Sequence, residues 1–275
     1  MNGMAKLPSA LLDFQIIERQ LKGKRLAVFL DYDGTLTPIR DRPELAVLSD
    51  VMHQRLDRLG GLYPTAIVSG RAVQEVKDLV GVDDLFYAGS HGFDIVGPRG
   101  SGVRYEVGKR FVPTIEHAHA LLCSELREID GVIIENKVYS LSVHYRLVKE
   151  ERVPAIEQVI DQVLRQHPTL CKTHGKKVLE VRPRVDWHKG KAVQWILGTI
   201  GSMAMATVAL YVGDDTTDED AFKVTAESGI GVLVTSEPRL TAAQFVLEDS
   251  EAVGIFLERI ADLNPNSEAH GQLIR

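Results

Sequence analysis

The sequence predicts an α/β fold: a parallel sheet covered by helices on both faces, interrupted by a smaller α+β segment. Three observations carry that prediction. Short apolar runs bounded by glycine or acid recur at residues 26–30, 65–68, 86–88, 208–212 and 231–234, with helix-patterned stretches between them. Strands buried on both faces read as continuous apolar runs, and intervening helices are what parallel crossovers require. Between residues 109 and 183 the order changes to helix, strand, strand, helix, strand, strand, the pattern of an antiparallel layer. Finally, a chain of 275 residues is longer than one usual domain and shorter than two large ones, which suits a main domain of residues 1–108 and 184–275 with an insert at 109–183.

In chain order, the first strand at residues 26–30 runs straight into Asp31 and Asp33, with Gly34 and Thr35 allowing a turn. In "PELAVLSDVMHQRLDRLGG", Leu45, Leu48, Met52, Leu56 and Leu59 recur every three or four residues, which predicts a helix ending on Gly60 and Gly61. The second strand leads into "AIVSGR" and a helix over "AVQEVKDLV". Within the insert, Tyr139, Leu141, Val143 and Tyr145 alternate with Ser140, Ser142 and His144, predicting a strand with one dry face and one polar face. A helix starts at "VDWHKGKAV". The strand at 208–212 then delivers Gly213, Asp214, Asp215, Asp218, Glu219 and Asp220.

Composition narrows the function classes. With 44% hydrophobic and 25% charged residues, the chain is an ordinary globular protein, and a net charge of −6 with a pI near 5.9 argues against a nucleic-acid surface. Cys123 and Cys171 form no CxxC pair, so neither a zinc framework nor a disulfide scaffold is expected, and a reducing, cytoplasmic setting fits. The N-terminal stretch carries Asp13 inside its apolar run and lacks a secretory pattern. The apolar run at 196–213, broken by Gly198 and Gly201, reads as helix end, loop and strand rather than as a membrane span. A monomer without membrane or nucleic-acid partners is expected.

Carboxylates at a strand end repel one another and resist burial unless a cation sits between them. A solvated acidic loop would account for either acidic cluster alone. Two clusters at equivalent strand ends, if the strands are neighbours, make a hard-oxygen site suited to Mg²⁺. Ser69 and Gly70 offer a hydroxyl and backbone N–H groups to an anion ahead of a helix, and a simple N-cap role for Ser69 is the equal alternative. Lys189 stands at a helix start, where the dipole disfavours a cation, so it needs another reason to be there; Lys191 reads as a surface charge.

"DYDGT", "VSGR", "KGKA" and "GDDTTDED" resemble, in order, the four motifs of the haloacid dehalogenase superfamily of phosphohydrolases. The resemblance implies a Rossmann-like three-layer core with a cap. It also implies that Asp31 is the nucleophile, forming an aspartyl-phosphate, and that Asp33 is the acid and base. Asp31, the backbone carbonyl of Asp33 and Asp214 would hold Mg²⁺, supported by Asp215 and Asp218. Ser69 and Lys189 would bind the transferring phosphoryl group, with Gly70 and Arg71 among the substrate-binding positions. The strings "AGSHGFDI", "IENKVYSLSVHYR" and "GKKVLEVRP" resemble the trehalose-6-phosphate phosphatases. That likeness implies hydrolysis of trehalose 6-phosphate, the final step of trehalose biosynthesis. Glu135, Lys137 and Glu180 would contact the sugar, with His91 and Arg146 at the entrance. Sucrose 6-phosphate, mannosyl-3-phosphoglycerate or a hexose phosphate mutase reaction keeps the chemistry and changes the sugar. A non-catalytic sugar-phosphate sensor is the reading from another class, opposed by intact Asp31, Asp33, Lys189 and Asp214. Ser90 has no assigned role, and nothing after about residue 235 resembles a motif.

Overall fold

The computed structural model describes residues 7–40, 42–175, 177–201 and 207–264. In chain order the elements are α1 (Phe14–Leu21), β1 (Arg25–Leu30), α2 (Asp50–Leu62), β2 (Thr65–Val68), α3 (Val73–Val80), β3 (Phe86–Gly89), β4 (Asp94–Val96), β5 (Arg104–Glu106), α4 (Val112–Leu126), β6 (Ile133–Asn136) and β7 (Leu141–His144). They continue with α5 (Val153–Gln166), β8 (Leu170–Gly175), β9 (Val178–Pro183), α6 (Lys189–Ile200), β10 (Thr207–Gly213), α7 (Glu219–Ser228), β11 (Ile230–Val234), β12 (Phe245–Leu247) and α8 (Ser250–Asp262). The chain forms two compact units, one of Met1–Arg104 with Trp187–Arg275, the other Tyr105–Asp186. The second unit thus starts earlier and ends later than the expected 109–183. None of the described helices is long and apolar enough to cross a membrane.

In the first unit the sheet runs β12, β11, β10, β1, β2, β3, β4. All these pairings are parallel except β3 with β4, which is antiparallel. β1 lies between β10 and β2, with Leu30 opposite Val212 on one side and Ile67 on the other. Because side chains alternate along a strand, Leu26, Val28 and Leu30 enter one apolar cluster with α2 and α8, while Ala27 and Phe29 enter another with α6 and α7. Every residue of β1 after Arg25 is therefore buried, which is why the strand reads as an unbroken apolar run.

α2 departs from the sequence reading at both ends. Its first turn is set by Ser49, whose hydroxyl accepts from the Met52 N–H at 3.2 Å, and Leu45 lies outside it, 57% exposed. The helix also passes through Gly60 and Gly61 to Leu62. Gly60 faces inward there: a Cβ would lie 2.6 Å from a Leu85 methyl, so this glycine serves close packing and not termination. α1, β4, β12 and α8 were not foreseen. The two strands are three residues each, too short to show a period.

The second unit is a four-stranded antiparallel sheet ordered β6, β7, β9, β8. Leu141, Val143, Leu179, Val181 and Leu170 pack on one face against Ile115, Leu122, Ile156 and Ile160 of α4 and α5. The expected dry face is there for Leu141 and Val143. Tyr139 leaves it at the hairpin tip, its hydroxyl donating to Glu106 at 2.8 Å. Ser140 and Ser142, expected on a polar face, are buried.

Candidate active site

Asp31 and Asp214 come together because β1 and β10 are hydrogen-bonded neighbours that end at the same level. The Asp31 N–H donates to Val212 at 2.9 Å, and Asp214 follows the last residue of β10. Gly34 makes the approach possible: its φ is +83°, and a Cβ would stand 2.2 Å from an Asp214 carboxylate oxygen. Asp218 joins them from the turn before α7. One carboxylate oxygen from each of Asp31, Asp214 and Asp218 lies within 4.8 Å of the others.

Lys189 closes this cluster from the start of α6. Its ammonium donates to Asp31 Oδ1 and Asp218 Oδ1, both at 2.7 Å, and it is 3% exposed. Burial alone would lower its pKa, but Asp218 and Asp31 outweigh that and raise it. The acids respond to the same crowding. Asp31 is pushed well above its ordinary value by burial and by Asp218 and Asp214, with Lys189 opposing. Asp214 is pushed up to about 7, first by burial and then by Asp218. Asp214 Oδ1 is buried without a hydrogen-bond partner among the described residues. One ammonium for three crowded carboxylates, an orphaned oxygen and an all-oxygen donor set fit a hard divalent cation.

Tyr211 is a member the sequence reading missed. Its hydroxyl donates to Asp218 Oδ1 at 2.5 Å. The signal was present, since Tyr211 is a polar-tipped residue in the apolar run 208–212, two positions before Gly213.

Ser69 and Gly70 form the turn after β2. Ser69 does not cap α3, whose cap position is Ala72; its hydroxyl accepts from the Arg71 N–H at 3.1 Å. The backbone of this turn is held by the next one, with the Ser90 N–H on Arg71 O at 2.7 Å and the His91 N–H on Ser69 O at 2.9 Å. Ser90 and His91 both have positive φ, 49° and 57°, an uncommon backbone for non-glycine residues. That turn sets the His91 ring over Gly70, where a Cβ would meet it at 2.9 Å.

Arg71, expected among the substrate-binding positions, is buried, and its guanidinium donates to protein groups. Its guanidinium grips the Asp33 carboxylate through two bonds of 2.8 and 2.7 Å, donates to Pro43 O at 2.8 Å and pairs with Glu75. It also lies 5.3 Å from the Tyr32 ring centre. The Asp33 carboxylate is thereby held by Arg71. Asp215 is exposed and serves as a cap: it accepts from the Asp218 N–H in a capping box.

In the second unit, Glu135, Ser142, Glu180 and Thr173 stand in register across four strands, in one row on one face. Lys137 Nζ lies 3.8 Å from both Glu135 and Glu180, and His144 stands 3.1 Å from Glu135. Arg146 is exposed in the turn after β7.

A parallel core with acids at the ends of two neighbouring strands and a lysine between them has the fold of the haloacid dehalogenase-like hydrolases. In fold, a haloacid dehalogenase-like hydrolase from Bacteroides thetaiotaomicron superimposes with a TM-score of 0.62 over 86% of this chain and 100% of its own, at 15% identity. The chain belongs to the trehalose-phosphatase family, whose profile matches residues 29–251. It is 42% identical to a trehalose 6-phosphate phosphatase of Zea mays over 274 residues, 94% of this chain and 76% of that one. The C-terminal domain of the Candida albicans trehalose-6-phosphate phosphatase shares the fold at 24% identity, with a TM-score of 0.79 over 94% of this chain and 99% of the other.

Proposed function

We propose that this chain is an Mg²⁺-dependent phosphatase that hydrolyses trehalose 6-phosphate through an aspartyl-phosphate. The observation that carries the reading is the buried cluster of Asp31, Asp214 and Asp218 around Lys189, taken with the family to which the chain belongs. Asp31, Asp214 and the backbone carbonyl of Asp33 would hold the cation, with Asp218 behind them. When bound, Mg²⁺ supplies positive charge that offsets the repulsion between a carboxylate nucleophile and a phosphate dianion.

In this reading Asp31 attacks phosphorus while the P–O bond to the sugar breaks, and Asp33 delivers a proton to the departing alkoxide. Asp33 then takes a proton from the water that attacks the aspartyl-phosphate, releasing phosphate and restoring Asp31. Lys189 and Ser69 hold phosphoryl oxygens, so most of the acceleration comes from fixed charges and positioning. Because Arg71 grips both Asp33 oxygens, it decides where that carboxylate points. The row of Glu135, Glu180 and Lys137 is the proposed reader of the sugar, and makes the second unit the specificity cap. Each carboxylate accepts from two hydroxyls, which suits a polyol better than an apolar pocket would.

The test is phosphate release, with and without chelator, from trehalose 6-phosphate, sucrose 6-phosphate, mannosyl-3-phosphoglycerate and glucose 6-phosphate. Expected is a strong preference for the first, lost with chelator and abolished in Asp31→Asn. Preference for another sugar overturns the substrate, and equal release by Asp31→Asn overturns the mechanism.

A further inference from the structure

We infer that Arg239, held by Glu219, braces the turn that aims Asp214, and that this brace sets the affinity of the acid cluster for a divalent cation. The inference rests on the metal reading above and concerns a residue in the stretch where no motif is legible. Arg239 lies between β11 and β12. Its guanidinium donates to the carbonyl oxygens of Asp214 at 3.3 Å and Asp215 at 3.1 Å, and to Glu219 Oε1 at 2.7 Å. Glu219 is itself fixed, since its Oε2 accepts from the Ala242 N–H at 2.8 Å.

The consequence follows from peptide planarity. The C=O of Asp214 and the N–H of Asp215 belong to one rigid plane and point in opposite directions. The N–H end of that plane donates to Asp218 Oδ2 at 2.9 Å, and the C=O end is taken by Arg239. With both ends held, the plane cannot rotate, and the Asp214 backbone, from which its side chain leaves toward Asp31, has one orientation. The Asp214 N–H, also on Asp218 Oδ2 at 3.1 Å, fixes the preceding plane. Arg239 is therefore a positioning residue, acting on the cluster through backbone and not through a side chain in it.

Charge and geometry predict opposite signs for its removal. A guanidinium on the turn that carries Asp214 repels an incoming cation, so deleting it should tighten binding if charge is all that matters. Loss of the brace should weaken binding, and supports behind metal ligands typically contribute about 10-fold or more.

The experiment titrates Mn²⁺ into the full chain, Arg239→Ala and Arg239→Lys, reading free Mn²⁺ by electron paramagnetic resonance and the fold by circular dichroism. Arg239→Ala should bind about 10-fold more weakly. Arg239→Lys should also be weakened, though less, because one ammonium does not span both carbonyls and Glu219. Parental or tighter binding by Arg239→Ala overturns the brace, and if that variant does not fold, the same outcomes for Arg239→Lys decide. A parent that binds no Mn²⁺ overturns the metal reading, and the brace with it.

Discussion

Lys189 shows at the scale of one residue how a cation earns its place at a helix start. Two buried carboxylates accept from it at 2.7 Å, so its removal strands both charges in the interior. Breaking a buried pair by deleting one partner costs about 3–5 kcal/mol. Lys189→Met should therefore lower stability by roughly that much at pH 8 in chelator. At pH 5 the loss should be smaller, because Asp31 already sits well above its ordinary pKa and takes up a proton as the lysine is lost. Urea unfolding at the two pH values checks this; an equal loss at both would contradict it. Arg71 acts on Asp33 in a way that substrate choice exposes. Arg71→Ala should slow release of a sugar alkoxide on the order of 10²-fold, the usual size of general-acid catalysis. The burst of p-nitrophenolate from p-nitrophenyl phosphate, a leaving group that needs no proton, should change little. Equal losses for both would assign Arg71 to the phosphate instead.

At the scale of elements, the site is three strand ends whose loops must approach without clashing. Gly34 is the tightest point, with both a positive φ and an Asp214 oxygen where a Cβ would stand. Gly34→Ala should cost about 1–2 kcal/mol from backbone strain alone. It should also weaken Mn²⁺ binding by displacing Asp214; parental affinity in a calorimetric titration would show that the turn relaxes harmlessly. The helices teach a different lesson about legibility. The apolar spacing of α2 was readable, but Gly60 was taken for a stop because the rule for glycine at a helix end is local. The neighbour that explains Gly60 is Leu85, on another part of the chain. The likeness of the motif strings placed Asp31, Asp214, Asp218 and Lys189 near one site. It did not show that Arg71 pairs with Asp33 and Glu75, which only the folded chain displays.

For the whole molecule, the crowded acids make stability depend on pH and on cations together. Asp214 rises from its ordinary 3.8 to about 7, so the folded state binds that proton more tightly than the unfolded state between those values. Its contribution is fully present at low pH and is lost as pH climbs to about 7, and Asp31 shifts in the same direction. Without divalent cation, stability should fall from pH 5 to pH 8 by on the order of a few kcal/mol. Mg²⁺ should restore more at pH 8 than at pH 5, since it competes with protons for the same oxygens. Thermal melts of the parent and Asp214→Asn in chelator and in Mg²⁺ check this, and the same pH slope in both proteins would contradict it.

By itself the sequence determined the layered α/β class, five of the parallel strands at residues 26–30, 65–68, 86–88, 208–212 and 231–234, the acids after two of them and the lysine at a helix start. These depend on hydrophobic period and on neighbours a few residues apart, which a linear chain displays. The tertiary structure alone decided the partners. Lys189 meets Asp31 across 158 positions, Arg71 reaches Asp33 across 38, and Arg239 reaches the Asp214 carbonyl across 25. Those pairings follow from strand order and peptide-plane orientation, and both are set only when the sheet closes around β1.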